Sequence, residues 1–123
     1  MKLIGSKKEK CIEEGLKSTK DWLFNQKTGK PWREELLKLD SELRIAYMLD
    51  FIPEQGEDIR TFITDKKEIF IIEISRVDSS ELPICKQIHF QEYKKNLRGK
   101  DANLQLIIVL KLIEEDLKIL ENL

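Results

Sequence analysis

Ile12, Leu16, Thr19 and Leu23 recur at spacings of four, three and four, which stacks them on one face of a helix. Trp22 and Phe24 widen that face, while Glu13, Lys17 and Lys20 fall on its wet side. Ser6-Lys7-Lys8-Glu9 just upstream has the S-x-x-E form of a capping box, so the helix is expected to begin there. The pattern breaks at Asn25-Gln26-Lys27-Thr28-Gly29-Lys30-Pro31, where Pro31 suits the first turn of a second helix because its missing amide hydrogen is harmless there. Leu36, Leu39, Leu43, Ala46 and Tyr47 continue at helical spacing, with Leu37, Met48 and Leu49 broadening the stripe. This predicts a second helix ending near Phe51-Ile52-Pro53 and, with the first, an antiparallel helical hairpin.

Past the polar link Glu54-Gln55-Gly56-Glu57-Asp58 the period shortens. Ile59–Thr64 reads as a strand, and the short connection Asp65-Lys66-Lys67 makes it antiparallel to a second one over Glu68–Val77, rich in β-branched and aromatic residues. Phe70, Ile72 and Ile74 are assigned to the core, with Glu68 and Glu73 on a wetter side that Ile69 and Ile71 make partly apolar. An apolar face left uncovered there offers a docking surface. Pro83–Gln91 alternates as a third strand would, although its residues also fit a helix with Pro83 in the first turn; the strand is preferred. Arg98-Gly99-Lys100-Asp101 interrupts the chain, Asp101 is a candidate cap, and Leu106, Leu110, Ile113, Leu117 and Leu120 form a seam that predicts a long C-terminal helix. Residues 104–110 also fit a strand feeding a shorter helix, and the seam suits either the core or a contact between copies. The expected fold is one α+β domain over residues 1–123: an N-terminal helical hairpin, a small antiparallel three-stranded sheet and a long C-terminal helix.

Composition narrows the classes of function. Of 123 residues, 37% are charged, yet 22 basic side chains nearly balance 23 acids and leave a net charge of −1. Such a balance disfavours a chain built for non-specific nucleic-acid binding, which works by neutralising phosphates. The charge is unevenly placed: residues 1–30 hold eight lysines and four acids, residues 31–60 four basic residues and eight acids. The simplest expectation is that the first two helices complement each other. Met1-Lys2-Leu3-Ile4-Gly5 turns polar at Ser6, and the longest uncharged run, residues 102–110, is too short to span a bilayer. A cytoplasmic chain without membrane contact is expected. Cys11 and Cys85 lack the number and spacing of a disulfide framework or a zinc site.

Catalytic chemistry has little to build on. His89 is the one histidine, no Ser or Cys sits in a nucleophile-elbow setting, and Gly29-Lys30 lacks the remaining glycine of a phosphate loop. No catalytic residue, cofactor or metal is assigned. Asp50, Glu54, Glu57 and Asp58 form an acidic segment whose spacing does not match a calcium loop. Two lysine-rich groups, Lys7 to Lys30 with Trp22 and Lys94 to Lys100, are interspersed with acids or short of arginine.

An acid at the start of a β-hairpin (Asp58), an acid late in its second strand (Glu73), and further elements over roughly residues 33–110 are similar in outline to the PD-(D/E)XK nuclease core. That resemblance implies Asp58 and Glu73 as ligands of a divalent metal that activates water against a phosphodiester in nucleic acid. The family places a lysine two residues after the second acid, and this chain has Ser75 there. The reading favoured by size, charge and lack of catalytic apparatus is instead a non-catalytic protein-binding domain. A small bacterial immunity or antitoxin protein fits, holding a basic toxin through Asp50, Glu54, Glu57 and Asp58.

Overall fold

Four antiparallel strands, β1 (Ala46–Glu54), β2 (Glu57–Thr64), β3 (Ile69–Ser75) and β4 (Ile84–Ile88), form a meander in the order β1-β2-β3-β4. Helices α1 (Lys7–Asn25) and α2 (Lys30–Leu39) precede the sheet, joined by a 3-10 turn over Lys27–Gly29; α3 (Phe90–Asn96) and α4 (Lys100–Glu121) follow it. The computed structural model describes residues 3–123. The expectation drawn from Met1–Gly5 rests partly on Met1 and Lys2, which lie outside the described residues.

The α+β class and the long C-terminal helix agree with the sequence reading. The capping box forms as its motif predicts: the Ser6 hydroxyl accepts the Glu9 N–H at 3.2 Å and Glu9 accepts the Ser6 N–H at 3.0 Å. Glu9 also accepts from Ile4 and Gly5. The Ser6 hydroxyl acting on the carboxylate foremost, and then these backbone N–H donors, hold the Glu9 carboxyl below the ordinary range.

The second helix is much shorter than its spacing predicts. It stops at Leu39, where the Asp40 side chain accepts the Glu42 N–H and the Asp40 carbonyl accepts the Leu43 N–H. This local Asx turn satisfies backbone groups that a continuing helix would have used. The chain re-enters regular structure as β1, so the sheet has four strands, not three. Pro53 is tolerated in β1 because the strand lies at the sheet edge. Asp101 does not cap α4, which begins one residue earlier behind Gly99 at φ 90; Asp101 sits in the first turn and reaches Lys8 at 2.5 Å. Residues 83–91 divide into β4 and the start of α3, while 104–110 are wholly helical.

Two cores flank the sheet. On one face Ala46, Phe62, Phe70 and Ile72 pack with Leu23, Trp32 and Leu36 of α1 and α2. On the other, Tyr47, Leu49, Ile63 and Ile69 pack with Leu106, Val109 and Leu112 of α4. Of the seam residues, Leu106 and Ile113 are buried in this second core, and Leu110, Leu117 and Leu120 are half-buried against it. Each fully buried side chain of this kind contributes roughly 1.5–3 kcal/mol. α1 serves both cores, Leu16 in one and Leu23 in the other, and Thr19 Oγ1 accepts the Met48 N–H at 3.1 Å. The helix thereby covers part of the β1 edge.

The lysines of α1 are complemented mainly by other elements than α2. Lys20 meets Asp116 at 2.8 Å and Lys8 meets Asp101, both on α4, while Lys17 reaches Glu13 within α1. The acids of residues 31–60 pair elsewhere, Asp40 with Lys66 at 3.1 Å and Asp58 with Arg76 at 3.1 Å. The expected match between the first two helices fails because much of the acidic segment is strand.

Candidate functional site

The α4 core covers only one end of its sheet face. Beyond it the strand registers align two rows across all four strands: Ile52, Ile59, Glu73 and Ile84, and beside them Asp50, Thr61, Ile71 and Lys86. Ile52 is 44% exposed and Ile84 57%, Ile59 and Ile71 are half-buried, and none of the four belongs to either core. β1 reaches this arrangement through a bulge at Leu49, where pairing steps from Met48↔Phe62 to Asp50↔Thr61. The extra residue turns Asp50 and Ile52 onto the face already carrying Tyr47.

Carboxylates border the isoleucines. Glu54 and Glu57 pair across the hairpin turn, in which Gly56 adopts φ 87, and Asp50 is exposed further along β1. Glu57 pairs with Ser75 and Ile59 with Glu73, making Glu57 and Glu73 diagonal neighbours on this face. Their side chains meet. The hydrogen bond with Glu73, then partial burial, then the Glu73 charge raise the Glu57 carboxyl above its usual range. Beside the rows, burial and then the Asp50 charge raise the Tyr93 phenol of α3.

Asp58 is separated from the other three acids proposed for a partner. Its register partner is Ile74, so it points to the face covered by α1 and α2, where it lies 3.1 Å from Arg76 and 3.7 Å from Arg60. The Arg60 guanidinium in turn stacks near Phe51 at 4.0 Å, Trp32 at 4.4 Å and Trp22 at 4.8 Å from the ring centroids. Asp58 thus belongs to an internal cation–aromatic cluster. The same alternation puts Asp58 and Glu73 on opposite faces, so the sheet does not bring together the pair that the nuclease outline requires. Among the described residues no group of three His, Cys, Asp or Glu side chains could hold a metal ion.

Three other sequence candidates have separate settings. His89 is exposed at the N-cap of α3 and makes no side-chain capping bond. Cys11 and Cys85 are free and exposed; Cys11 lines an open groove of about 560 Å³ between α1 and α4, with Ile12, Leu16 and Met48 among its walls. No helix among the described residues is long and apolar enough to cross a membrane. Comparison with protein-family models, curated proteins and solved structures finds no match. The isoleucine rows went unseen in the sequence because one member of each lies on β1, whose apolar residues also fit a helix.

Proposed function

We propose that this chain is a non-catalytic protein-binding domain whose partner docks on the carboxylate-bordered isoleucine face. The observation that carries this reading is the uncovered row Ile52, Ile59, Glu73 and Ile84 across all four strands. Apolar side chains on a sheet face are ordinarily buried, and those left bare and rimmed by charge suit a protein interface. Asp50, Glu54, Glu57 and Glu73 outnumber the single cation of these rows, Lys86, and make the face mainly acidic, so the fitting partner presents apolar residues flanked by Lys or Arg. Asp58 acts inside the fold and is not a contact residue in this reading.

A small bacterial immunity or antitoxin protein that masks a basic toxin is the class this chemistry fits best. The cytoplasm is the compartment in which such a protein would act. Association should be fast and should slow with added salt, as exposed charges are screened. The test is affinity capture on the full chain, followed by calorimetric titration with any basic protein that a neighbouring gene encodes and the chain retains, using Ile52→Lys and Glu57→Lys after circular dichroism has shown each to be folded. At least about a hundredfold loss of affinity in the double variant is expected. Unchanged affinity would place the interface elsewhere.

A further inference from the structure

The C-terminal half of α1, the chain entering β1 and the C-terminal half of α4 enclose a pocket of about 530 Å³, in which Lys17, Phe24 and Arg44 stand around a floor made by Lys20, Tyr47 and Asp116. Its size is that of a small-molecule site. It lies at the Tyr47 end of β1, away from Ile52 and the isoleucine rows.

The carboxylates of this pocket are already engaged. Asp116 accepts the Tyr47 hydroxyl and holds Lys20 at 2.8 Å, while Asp21 accepts the side-chain amides of Asn25 at 2.8 Å and Gln26 at 3.2 Å. The end of α1, whose bare carbonyls would repel an anion, is capped by Arg33, which donates to the Leu23 and Phe24 carbonyls at 2.8 and 2.9 Å. Lys17 has only a long contact with Glu13, at 3.7 Å, and shares that acid with Lys111 at 3.8 Å. Arg44 is exposed and has neither an ion pair nor a side-chain hydrogen bond among the described residues. Its guanidinium is therefore the charge in the pocket that the chain itself leaves unanswered.

We propose that this pocket binds a small organic monoanion, a flat apolar body bearing one carboxylate, with the carboxylate on Arg44 and the body against Phe24. The planar fork of arginine matches a carboxylate with two parallel hydrogen bonds. Phe24 is half-buried and offers a ring face on which a flat body stacks. Three cations, Lys17, Lys20 and Arg44, against Asp21 and Asp116 leave a surplus of one positive charge, which one carboxylate neutralises. A phosphate dianion would add a second negative charge beside those two acids, an unfavourable arrangement. The Cys11 groove has no such anchor, since its lysine, Lys8, is already paired with Asp101. The proposal stands independently of the partner reading above.

Naphthoate is the probe, titrated into the full chain by calorimetry and followed by two-dimensional NMR. Saturable binding is expected, with shifts centred on Lys20, Phe24, Arg44 and Tyr47. Neutral naphthamide and inorganic phosphate should each bind at least about tenfold more weakly. Arg44→Gln should lose at least about tenfold in affinity, and Arg44→Lys should recover part of that loss. The melting temperature of ligand-free Arg44→Gln should equal that of the wild type, because Arg44 holds no partner within the fold. Phe24→Leu keeps an apolar side chain in place and should weaken binding about threefold through the lost ring face. Equal affinity for naphthamide or phosphate overturns the proposal, as does indifference to Arg44→Gln. Shifts centred on Cys11, Ala102 and Gln105, or no saturable binding at millimolar naphthoate, overturn it too.

Discussion

The Tyr47 hydroxyl of β1 donates directly to Asp116 of α4, and Lys20 of α1 approaches the same carboxylate oxygen at 2.8 Å. One acid therefore ties the sheet to both helices that pack against its edge and face. The bond is half-sheltered, which makes it worth more than a surface ion pair.

Tyr47→Phe removes this donor while leaving Asp116 its lysine, and should cost about 2 kcal/mol in urea unfolding at neutral pH. Burial first, and then the hydrogen bond to Asp116, raise the ionisation of Tyr47 far above that of a free phenol. Its contribution is complete below the unfolded value of about pH 10 and is lost as pH rises beyond it. Stability measured from neutral to alkaline pH should fall more steeply in the wild type than in Tyr47→Phe. Parallel curves would show that the phenol is not sheltered.

Gly29 should not accept a side chain. A Cβ built there would stand 2.2 Å from the Trp22 carbonyl oxygen and 3.0 Å from Leu23 Cα, so α1 and the following turn would have to separate. Gly29→Ala is expected to cost about 3 kcal/mol, the upper part of the overpacking range. Gly15→Ala, with open space around its position on α1, should instead stabilise by about 0.5–1 kcal/mol. Thermal melts of the two variants should therefore move in opposite directions.

How far the chain could be read from its sequence follows from which forces are local. The capping box at Ser6 and Glu9 and the hairpin around Asp65-Lys66-Lys67 depend on residues a few positions apart, and both form. Leu43, Ala46 and Tyr47 fit a helical spacing equally well, and their fate depends on the Asx turn at Asp40 and on pairing with Ile63 and Thr64 far along the chain. Missing that strand hid the bulge, the fourth member of each isoleucine row and the separation of Asp58 from Asp50, Glu54 and Glu57. Gly29 looked like an ordinary turn residue because the carbonyl it accommodates belongs to an earlier helix.

Arg60 should resist replacement even by lysine. Its planar guanidinium lies within 4.8 Å of three aromatic centroids and beside Asp58, a setting that a compact ammonium cannot reproduce. Arg60→Lys is expected to cost about 1–2 kcal/mol. Both tryptophans of the chain, Trp22 and Trp32, touch this residue, so intrinsic fluorescence reports the cluster directly. A red-shifted emission before the main unfolding transition is expected in the variant, and an unchanged spectrum would argue that the stacking carries no weight.

Glu57 and Glu73 set stability against binding. The Glu57 carboxyl is raised by its bond with Glu73, by burial and by the neighbouring charge, so its stabilising form is the protonated one. That contribution is fully present below the unfolded value of about pH 4.3 and is lost as pH rises through the higher folded value, after which two carboxylates face each other. Glu57→Gln keeps the hydrogen bond and removes one charge. Its melting temperature should exceed that of the wild type at neutral pH, with the gain disappearing at about pH 4. A basic partner would relieve the same repulsion by supplying a cation, so the substitution that stabilises the free domain should also weaken the complex, as expected of a site kept for function. A variant that gains no stability at neutral pH would show that the two carboxylates are not in contact in the free protein.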